Sequence, residues 1–340
     1  MERRLYAGIL VYFTCILLHI WLRANLEPTA VELINQNKID NLSCHYIIDG
    51  DALELINPHH FQPPHKSIFF HDTDCKDGLN SRQMCAVESA ARLHPKRNIY
   101  VFFSGPVTVK QFKHISFLHK FTNIHFGRIL ILSYSEGTPL ESLVKKGLLN
   151  NTFWGIENTS NVLRFLTLYK WSGVYLDFDT VVVKSFDHLP ENWIARQDDG
   201  QLNCAAIALS DNDIGRGMAY EFIEELARSY KSDIWINNGP GVVNRVLIEI
   251  CGSSNISSMS VTTCQGFPVI DSKLIYPIHY SDRKKYFLPG KPEDTPDAVI
   301  HHIWNRLTHI YDVPKNSLYS RLAEEFCPSV FKLYGANFGT

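Results

Sequence analysis

From Asn158 to Val183 the chain reads NTSNVLRFLTLYKWSGVYLDFDTVVV, and inside this stretch one periodicity stops and another begins. Val162, Phe165, Leu166 and Tyr169 recur at helical spacing. Ser160 stands where an N-cap belongs, and Gly173 where a left-handed residue ends a helix. Directly after the glycine, VYLDFD has the pattern of a strand. Ligands of open α/β sheets bind beyond the carboxyl ends of the strands. A helix, a glycine stop and a strand ending in acids therefore put Asp177 and Asp179 at a ligand edge. In an extended segment residues i and i+2 face the same way, so both carboxylates converge on one cation while Phe178 turns to the core. Carboxylates withdrawn from water need compensating positive charge. Mg2+ or Mn2+, held by one or two carboxylates together with substrate phosphates, supplies it.

The spacing Asp-x-Asp is weak evidence by itself, because it occurs four times, at Asp49/Asp51, Asp72/Asp74, Asp177/Asp179 and Asp211/Asp213. The first falls in a polar segment and the last in SDNDIG, which reads as a solvated turn. FFHDTD, with Asp72 and Asp74, is the serious rival, since it also follows a strand. Only the copy at Asp177 has a preceding helix, a glycine stop and strand residues on both sides. Elsewhere SIFF, NIYVFF and IHFGRILIL read as strands and SRQMCAVESAARLH as a helix. This alternation predicts an α/β fold with a mainly parallel central sheet.

The N-terminus sets the context. MERR precedes an uncharged apolar run, Leu5 to Leu22, with Tyr6 and Trp21 near its ends. We read residues 5–22 as a transmembrane signal-anchor. A cleaved signal peptide fits less well, because bulky HIWLRANLEP follows where a small-residue cleavage site is needed. Arg3 and Arg4 keep residues 1–4 cytoplasmic and everything after the span lumenal, a type II orientation. Four Asn-x-Ser/Thr sequons, at Asn41, Asn150, Asn158 and Asn255, all follow the span. Cys75 with Cys85, and Cys251 with Cys264, bracket short loops and read as disulfide clips of an oxidising compartment; Cys204, in apolar NCAAIAL, reads as a buried free thiol. Residues 23–66 form a polar stem, and 67–340 the catalytic domain. A net charge of −2 without a Lys/Arg block argues against nucleic acid as a partner.

LRFLTLYKWSGVYLDFD is similar to the R-x-x-x-L-x-x-x-G-G-x-Y-x-D-x-D pattern of glycosyltransferases with DXD-containing sugar-binding regions. CAVESAARLHP, SDIWINNGPGVVNRV, YPIHYSDRKKYF, HIWN and FCP resemble, in order, successive blocks of the alpha-1,4-galactosyltransferase and alpha-1,4-N-acetylglucosaminyltransferase family. The resemblance spans roughly Ser67 to the C-terminus. It implies a GT-A-like nucleotide-sugar-binding fold, a UDP-sugar donor, Mn2+ (or Mg2+), residence in the Golgi membrane and retention of configuration in an alpha linkage. It places Asp177 and Asp179 on the metal and diphosphate, Arg164 on the donor, and His302 of H-x-W-N as a further metal or diphosphate ligand; His301 takes that place if the strand register differs. Asn238 and Gly239 fall in a block that reads Q-G-P in other members, and Asn161 stands where the family often carries an acid. No pair of catalytic acids of the retaining-glycosidase kind is visible, and we read Asn238, or Asp198 in RQDDG, as stabilising an oxocarbenium-like centre. The bland alternatives are a surface Arg164 paired with Glu157, a core histidine at 302, an N-N-G turn at Asn237–Asn238, and core roles for Trp235, Tyr276 and Trp304. The acceptor the family implies is a terminal galactose or N-acetylhexosamine of a glycosphingolipid, with a protein-linked glycan, or a sugar-binding protein with a decayed site, as alternatives.

Overall fold

The computed structural model describes residues 43–47, 51–74, 78–150, 152–290 and 294–339. The span read at Leu5–Leu22 lies outside them; among the described residues no helix is long and apolar enough to cross a membrane. The strands are β1 (Ile68–Asp72), β2 (Ile99–Phe103), β3 (Ile124–Arg128), β4 (Gly173–Leu176), β5 (Thr180–Val182), β6 (Trp193–Asp198), β7 (Gln201–Leu209), β8 (Val269–Ile270) and β9 (Ile300–His302). The helices that position the site are α1 (Ser81–Leu93), α2 (Gly155–Trp171), α3 (Asp213–Ser229), α4 (Pro240–Cys251), α5 (Leu318–Phe326) and α6 (Pro328–Tyr334).

Seven strands form one mixed sheet in the order β3-β2-β1-β4-β7-β6-β8, and β5 and β9 form a separate pair. β3, β2, β1 and β4 run parallel, while β7 is antiparallel to both β4 and β6. The mainly parallel α/β sheet read from the sequence is thus present, with an antiparallel insertion. β1 and β2 are buried along their whole length, as strands covered on both faces must be, which is why they read as unbroken apolar runs. α1 begins with a reciprocal capping box: Asn80 accepts from the Gln83 amide at 3.0 Å and Gln83 accepts from the Asn80 amide at 2.8 Å.

Three expectations change on contact with the fold. First, Cys85 is bonded to Cys327, not to Cys75, across a sequence separation of 242. Closeness in sequence misled, because Cys85 lies on α1, against which the C-terminal segment packs. Beside it Glu88, fully buried, accepts from the Ser329 and Val330 amides at 3.0 and 2.7 Å and so caps α6. Arg82, one turn earlier, donates to the carbonyls of Thr308 and Gly339. The expected Cys251–Cys264 bridge is present, Cys204 is a buried free thiol, and Cys44 is also disulfide-bonded.

Second, Ser160 is not the cap of its helix: α2 starts at Gly155, a turn and a half earlier. Its end is made by Ser172 at φ +56°, with Gly173 at φ +106° already opening β4. A Cβ on Gly173 would lie 2.6 Å from the Ser67 carbonyl oxygen, so the helix-to-strand reversal needs the glycine for space as well as for its dihedral.

Third, residues 51–66, read as stem, fold onto the sheet. The Ile56 amide donates to the Arg128 carbonyl at 2.8 Å and the Arg128 amide to the Glu54 carbonyl at 2.9 Å, Asp51 pairs with buried Arg128 at 2.9 Å, and Phe61 packs edge-on against Tyr100, Phe102 and Trp171.

Burial drives four imidazoles well below their ordinary value, His71 to about 3 and His45, His94 and His301 to about 4. They stay neutral in the fold, while the unfolded chain takes up protons below about pH 6.5. The unfolded state therefore binds more protons, and stability falls as pH drops from about 6.5 towards 4. Thermal melts should show Tm lower by roughly 5 °C or more at pH 5 than at pH 7; a flat profile over that range would contradict the buried neutral assignment.

Candidate functional site

β4 ends at Leu176, and the next three residues turn rather than continue extended. The Asp177 amide still reaches β7, donating to the Ala205 carbonyl at 2.7 Å. Thr180 then folds back, its hydroxyl donating to the Asp177 carbonyl at 2.7 Å. Phe178 leaves the turn on the opposite side and stacks on Phe70, with ring centroids 5.3 Å apart. Both carboxylates thus share a side, as expected, although a tight turn and not an extended strand brings them there.

The small β5–β9 pair completes the cluster. Thr180 lies opposite His302 in register, which sets the His302 imidazole 3.2 Å from an Asp179 oxygen. The alternate residue His301 points away, to the Tyr286 hydroxyl at 3.2 Å, so the register question falls to 302. Asp179 is fixed further by the Asn305 amide at 2.7 Å, and its carbonyl accepts from Ile303 at 2.7 Å. That approach requires Trp304 at φ +60°, a left-handed conformation rare for a bulky residue. Its indole holds the bend by donating to the Ile278 carbonyl at 2.9 Å and packing 4.3 Å from the His302 ring. Tyr276 packs on both rings, so Tyr276 and Trp304 are the wall of the histidine.

Arg164 supplies the compensating charge. Only 5% exposed, it donates to both Asp177 oxygens at 2.9 and 3.4 Å, to the Cys204 carbonyl at 2.6 Å and to Ser160 at 3.0 Å, and lies 4.6 Å over the Tyr175 ring. The surface pairing with Glu157 is not formed; Glu157 meets Arg306 instead, at 3.4 Å. Burial is the largest single influence and opposes the Arg164 charge, but Asp177 together with Cys204, Tyr175 and Tyr276 outweighs it and holds the guanidinium above its ordinary value. Burial pushes Asp177 up against the pull of Arg164, and burial likewise works on Asp179, where His302 and the Asn305 amide prevail and hold it down.

One ligand atom each of Asp177, Asp179 and His302 lies within 4.8 Å of the others, and this is the one such group found among the described residues. Two carboxylates and an imidazole form a donor set suited to Mn2+ or Mg2+. The His302 Nε2 faces the carboxylates, 3.2 Å from an Asp179 oxygen, and Nδ1 is buried with no hydrogen-bond partner. The residues therefore fit a divalent cation. Asp72 and Asp74 belong to no such group.

Three other sequence candidates sit apart from these ligands. Asn161 is buried at the α2 face, where a Cβ on Gly239 would collide with its amide; the glycine lets the chain entering α4 pass close to Asn161. Asn238, fully buried, donates to Asn158 at 2.8 Å and to the Lys231 carbonyl at 2.5 Å, and accepts from the Lys231 amide at 3.0 Å and Asn237 at 2.8 Å. Its amide is fully engaged. The part of an electrostatic stabiliser expected for it is therefore corrected: Asn238 is a brace, closing the loop between α3 and α4. Asp198, at the end of β6 and about a third exposed, accepts from Gly200 at 2.8 Å and Gln197 at 3.1 Å and meets His279 at 3.1 Å. The sequence reading missed Tyr175, whose hydroxyl donates to Asp177 at 2.6 Å. Its signal was there, since Tyr175 stands two residues before Asp177 on the same strand face.

Two regions of the chain match family models: residues 80–198 the glycosyltransferase sugar-binding region containing the DXD motif, and residues 211–334 the alpha 1,4-glycosyltransferase conserved region. Among curated proteins, the lactosylceramide 4-alpha-galactosyltransferase of Mus musculus is 27% identical over 281 residues, covering 78% of this chain and 75% of that protein. The alpha-1,4-N-acetylglucosaminyltransferase of Homo sapiens is 24% identical over 263 residues, covering 73% and 74%. Among solved structures, the galactosyltransferase LgtC in complex with donor and acceptor sugar analogs matches at 12% identity and TM-score 0.43, over 77% of this chain and 95% of that one.

The bracing role of Asn238 makes a prediction. Asn238→Asp removes two donors and sets a carboxylate against the Asn158 and Lys231 oxygens. Each buried group left unpaired costs about 1–3 kcal/mol, so Tm should fall by several degrees. An unchanged Tm with lost activity would restore the catalytic reading of this residue.

Proposed function

We propose a specific reaction for this member of the DXD-containing alpha-1,4-glycosyltransferases: transfer of galactose or an N-acetylhexosamine from a UDP-sugar, with retention, to a terminal sugar of a glycosphingolipid. The observation that carries the reading is the convergence of Asp177, Asp179 and His302 at the carboxyl end of β4, with Arg164 locked behind them. We read the fold as GT-A-like on the same ground, since the acids follow a sheet edge where a nucleotide diphosphate can lie. The relatives' names support the glycolipid acceptor.

In the reaction, the bond between the anomeric carbon and the diphosphate oxygen breaks, UDP leaves with the electron pair, the oxygen of an acceptor hydroxyl bonds to that carbon, and the hydroxyl proton passes to the departing diphosphate. A divalent cation held by Asp177, Asp179 and His302 supplies charge compensation for the departing diphosphate. The chain's part is orientation. Arg164 and the Tyr175 hydroxyl fix the Asp177 carboxylate, and the Asn305 amide fixes Asp179, so neither has to reorganise as charge develops. Trp304 and Tyr276 keep water from the buried side of His302.

Release of UDP from UDP-sugars by the purified protein, with and without acceptor, tests this reading. Asp177→Ala and Asp179→Ala should each lower transfer by about a hundredfold or more, the scale of losing an electrostatic stabiliser, and EDTA should do the same to the parent. Asp72→Asn with Asp74→Asn should keep metal dependence. Full turnover in EDTA would sink the metal role, and loss only at 72 and 74 would move the site.

We also propose that the chain is a single-pass type II protein of the Golgi membrane, on the strength of the Arg-flanked apolar run at Leu5–Leu22 and of sequons confined to its downstream side. Asn255 is exposed, whereas Asn158 is fully buried and bonded to Asn238. A glycan is therefore expected on Asn255 and not on Asn158. Peptide mapping after glycosidase treatment reads both, and an unmodified Asn255 in protein from secretory cells would count against the lumenal orientation.

A further inference from the structure

The loop between α3 and α4, residues 230–239, is unusual in being tightly held at its base and apolar at its tip. Asn238 closes it onto Lys231, Asn237 donates to the Ser229 carbonyl at 2.7 Å, and the Trp154 indole donates to the Asp233 carbonyl at 3.3 Å. So many backbone bonds leave the tip little freedom to fold inward. Yet Ile234 and Ile236 are each 41% exposed, as is Phe153 beside Trp154, with the Trp235 ring half-buried 6.3 Å from that of Trp154. Exposed apolar side chains fixed in this way do not arise from a mobile loop that merely fails to pack.

A chain of packing contacts through buried Trp154 ties the patch to the candidate site. Asn305, whose amide holds Asp179, is followed by Arg306, and the Arg306 guanidinium lies 5.2 Å over the Trp154 ring. Trp154 in turn meets Trp235. The loop that carries the apolar tip is thus anchored, through Trp154 and Arg306, to the segment that holds Asp179. Its area decides what kind of partner it suits. A few side chains at two-fifths exposure offer at most a few hundred Å2, short of the roughly 800 Å2 per partner of a stable protein interface. A narrow apolar chain attached to a sugar fits it; a second folded surface does not.

We propose that this loop receives the apolar aglycone of the acceptor, the lipid-proximal part of a glycolipid whose sugar reaches the acids. The proposal rests on the glycosyltransferase reading above and adds where the acceptor's second half is held. Ile234 and Ile236 are specificity-determining residues in this scheme, outside the chemistry itself.

The test uses the full-length protein in lipid nanodiscs with three acceptors: lactose, hexyl lactoside and bilayer-embedded lactosylceramide. The wild type should favour hexyl lactoside over lactose by about tenfold in kcat/KM, the scale of burying one or two methylenes. Ile234→Ser with Ile236→Ser should erase that preference through KM, leaving kcat, the lactose reaction and acceptor-free UDP release unchanged. Equal use of lactose and hexyl lactoside by the wild type overturns the proposal, as does a variant that keeps the preference. If the variant loses only the bilayer-embedded acceptor, the occupant is the membrane surface and the aglycone assignment falls. If light scattering shows a wild-type dimer that the variant splits, the occupant is a second copy. Absence of UDP release from the wild type strikes at the enzymatic reading itself, and this proposal falls with it; transfer to lactose without any chain preference strikes at this proposal alone.

Discussion

Arg164 is the charge on which the rest of the site depends. Its guanidinium is almost wholly out of water, a state tolerated only when nearly every donor has a partner. Its contacts come from three parts of the chain: Asp177 and the Tyr175 ring at the end of β4, the Cys204 carbonyl on β7, and Ser160 one turn back on the arginine's own helix, α2. Such a group cannot be satisfied until the helix, the strand and the antiparallel insertion are all in place. The same demand makes Asp177 rigid, since it is the arginine's counter-ion before it is anything's ligand. A planar fork with fixed donors suits this better than an ammonium would.

Asp177 and Asp179 answer to different sheets. Asp177 is tied to the main sheet through Ala205 and Arg164, while Asp179 is tied to the small β5–β9 pair through His302, Ile303 and Asn305. The three-residue turn between them is the seam. Two carboxylates held close repel each other, and neither sheet alone offers enough positive charge to quiet both. Arg164 answers one, and His302 leans on the other. What remains is a pocket of negative charge faced by the His302 Nε2, which is the electrostatic condition a divalent cation satisfies.

How much of this was legible in the sequence follows from the range of each interaction. The α2-to-β4 reversal could be read because its cause is local: a period of 3.6 gives way to extended spacing at Ser172–Gly173, both at positive φ. The Cys251–Cys264 clip closes a short loop and was equally legible. Cys85–Cys327 was not, since nothing near Cys85 announces that the C-terminus returns to α1. The polar segment before Ser67 misled for a related reason. Asp51 looks like a solvated acid until Arg128 arrives from β3 to meet it. His302 over His301 turned on a strand register, and a register is a fact about two strands.

Asn161 and Asn238 show why residue type and residue role need separate arguments. Both lie where the resemblance sets a polar functional group, and both are amides. In the fold Asn238 spends its hydrogen-bonding capacity on its own loop and on Asn158 of α2. Asn161 lies on α2 three residues from Arg164, against Gly239 and near the Cys204 thiol, which burial pushes up to about 11. A carboxylate at 161 would add a buried negative charge beside a guanidinium already claimed by Asp177. The neutral amide keeps the hydrogen-bonding shape without competing for that arginine. On this argument the amide at 161 preserves the Arg164–Asp177 pair undivided, and the site is built around one counter-ion where an acidic residue would have shared it between two.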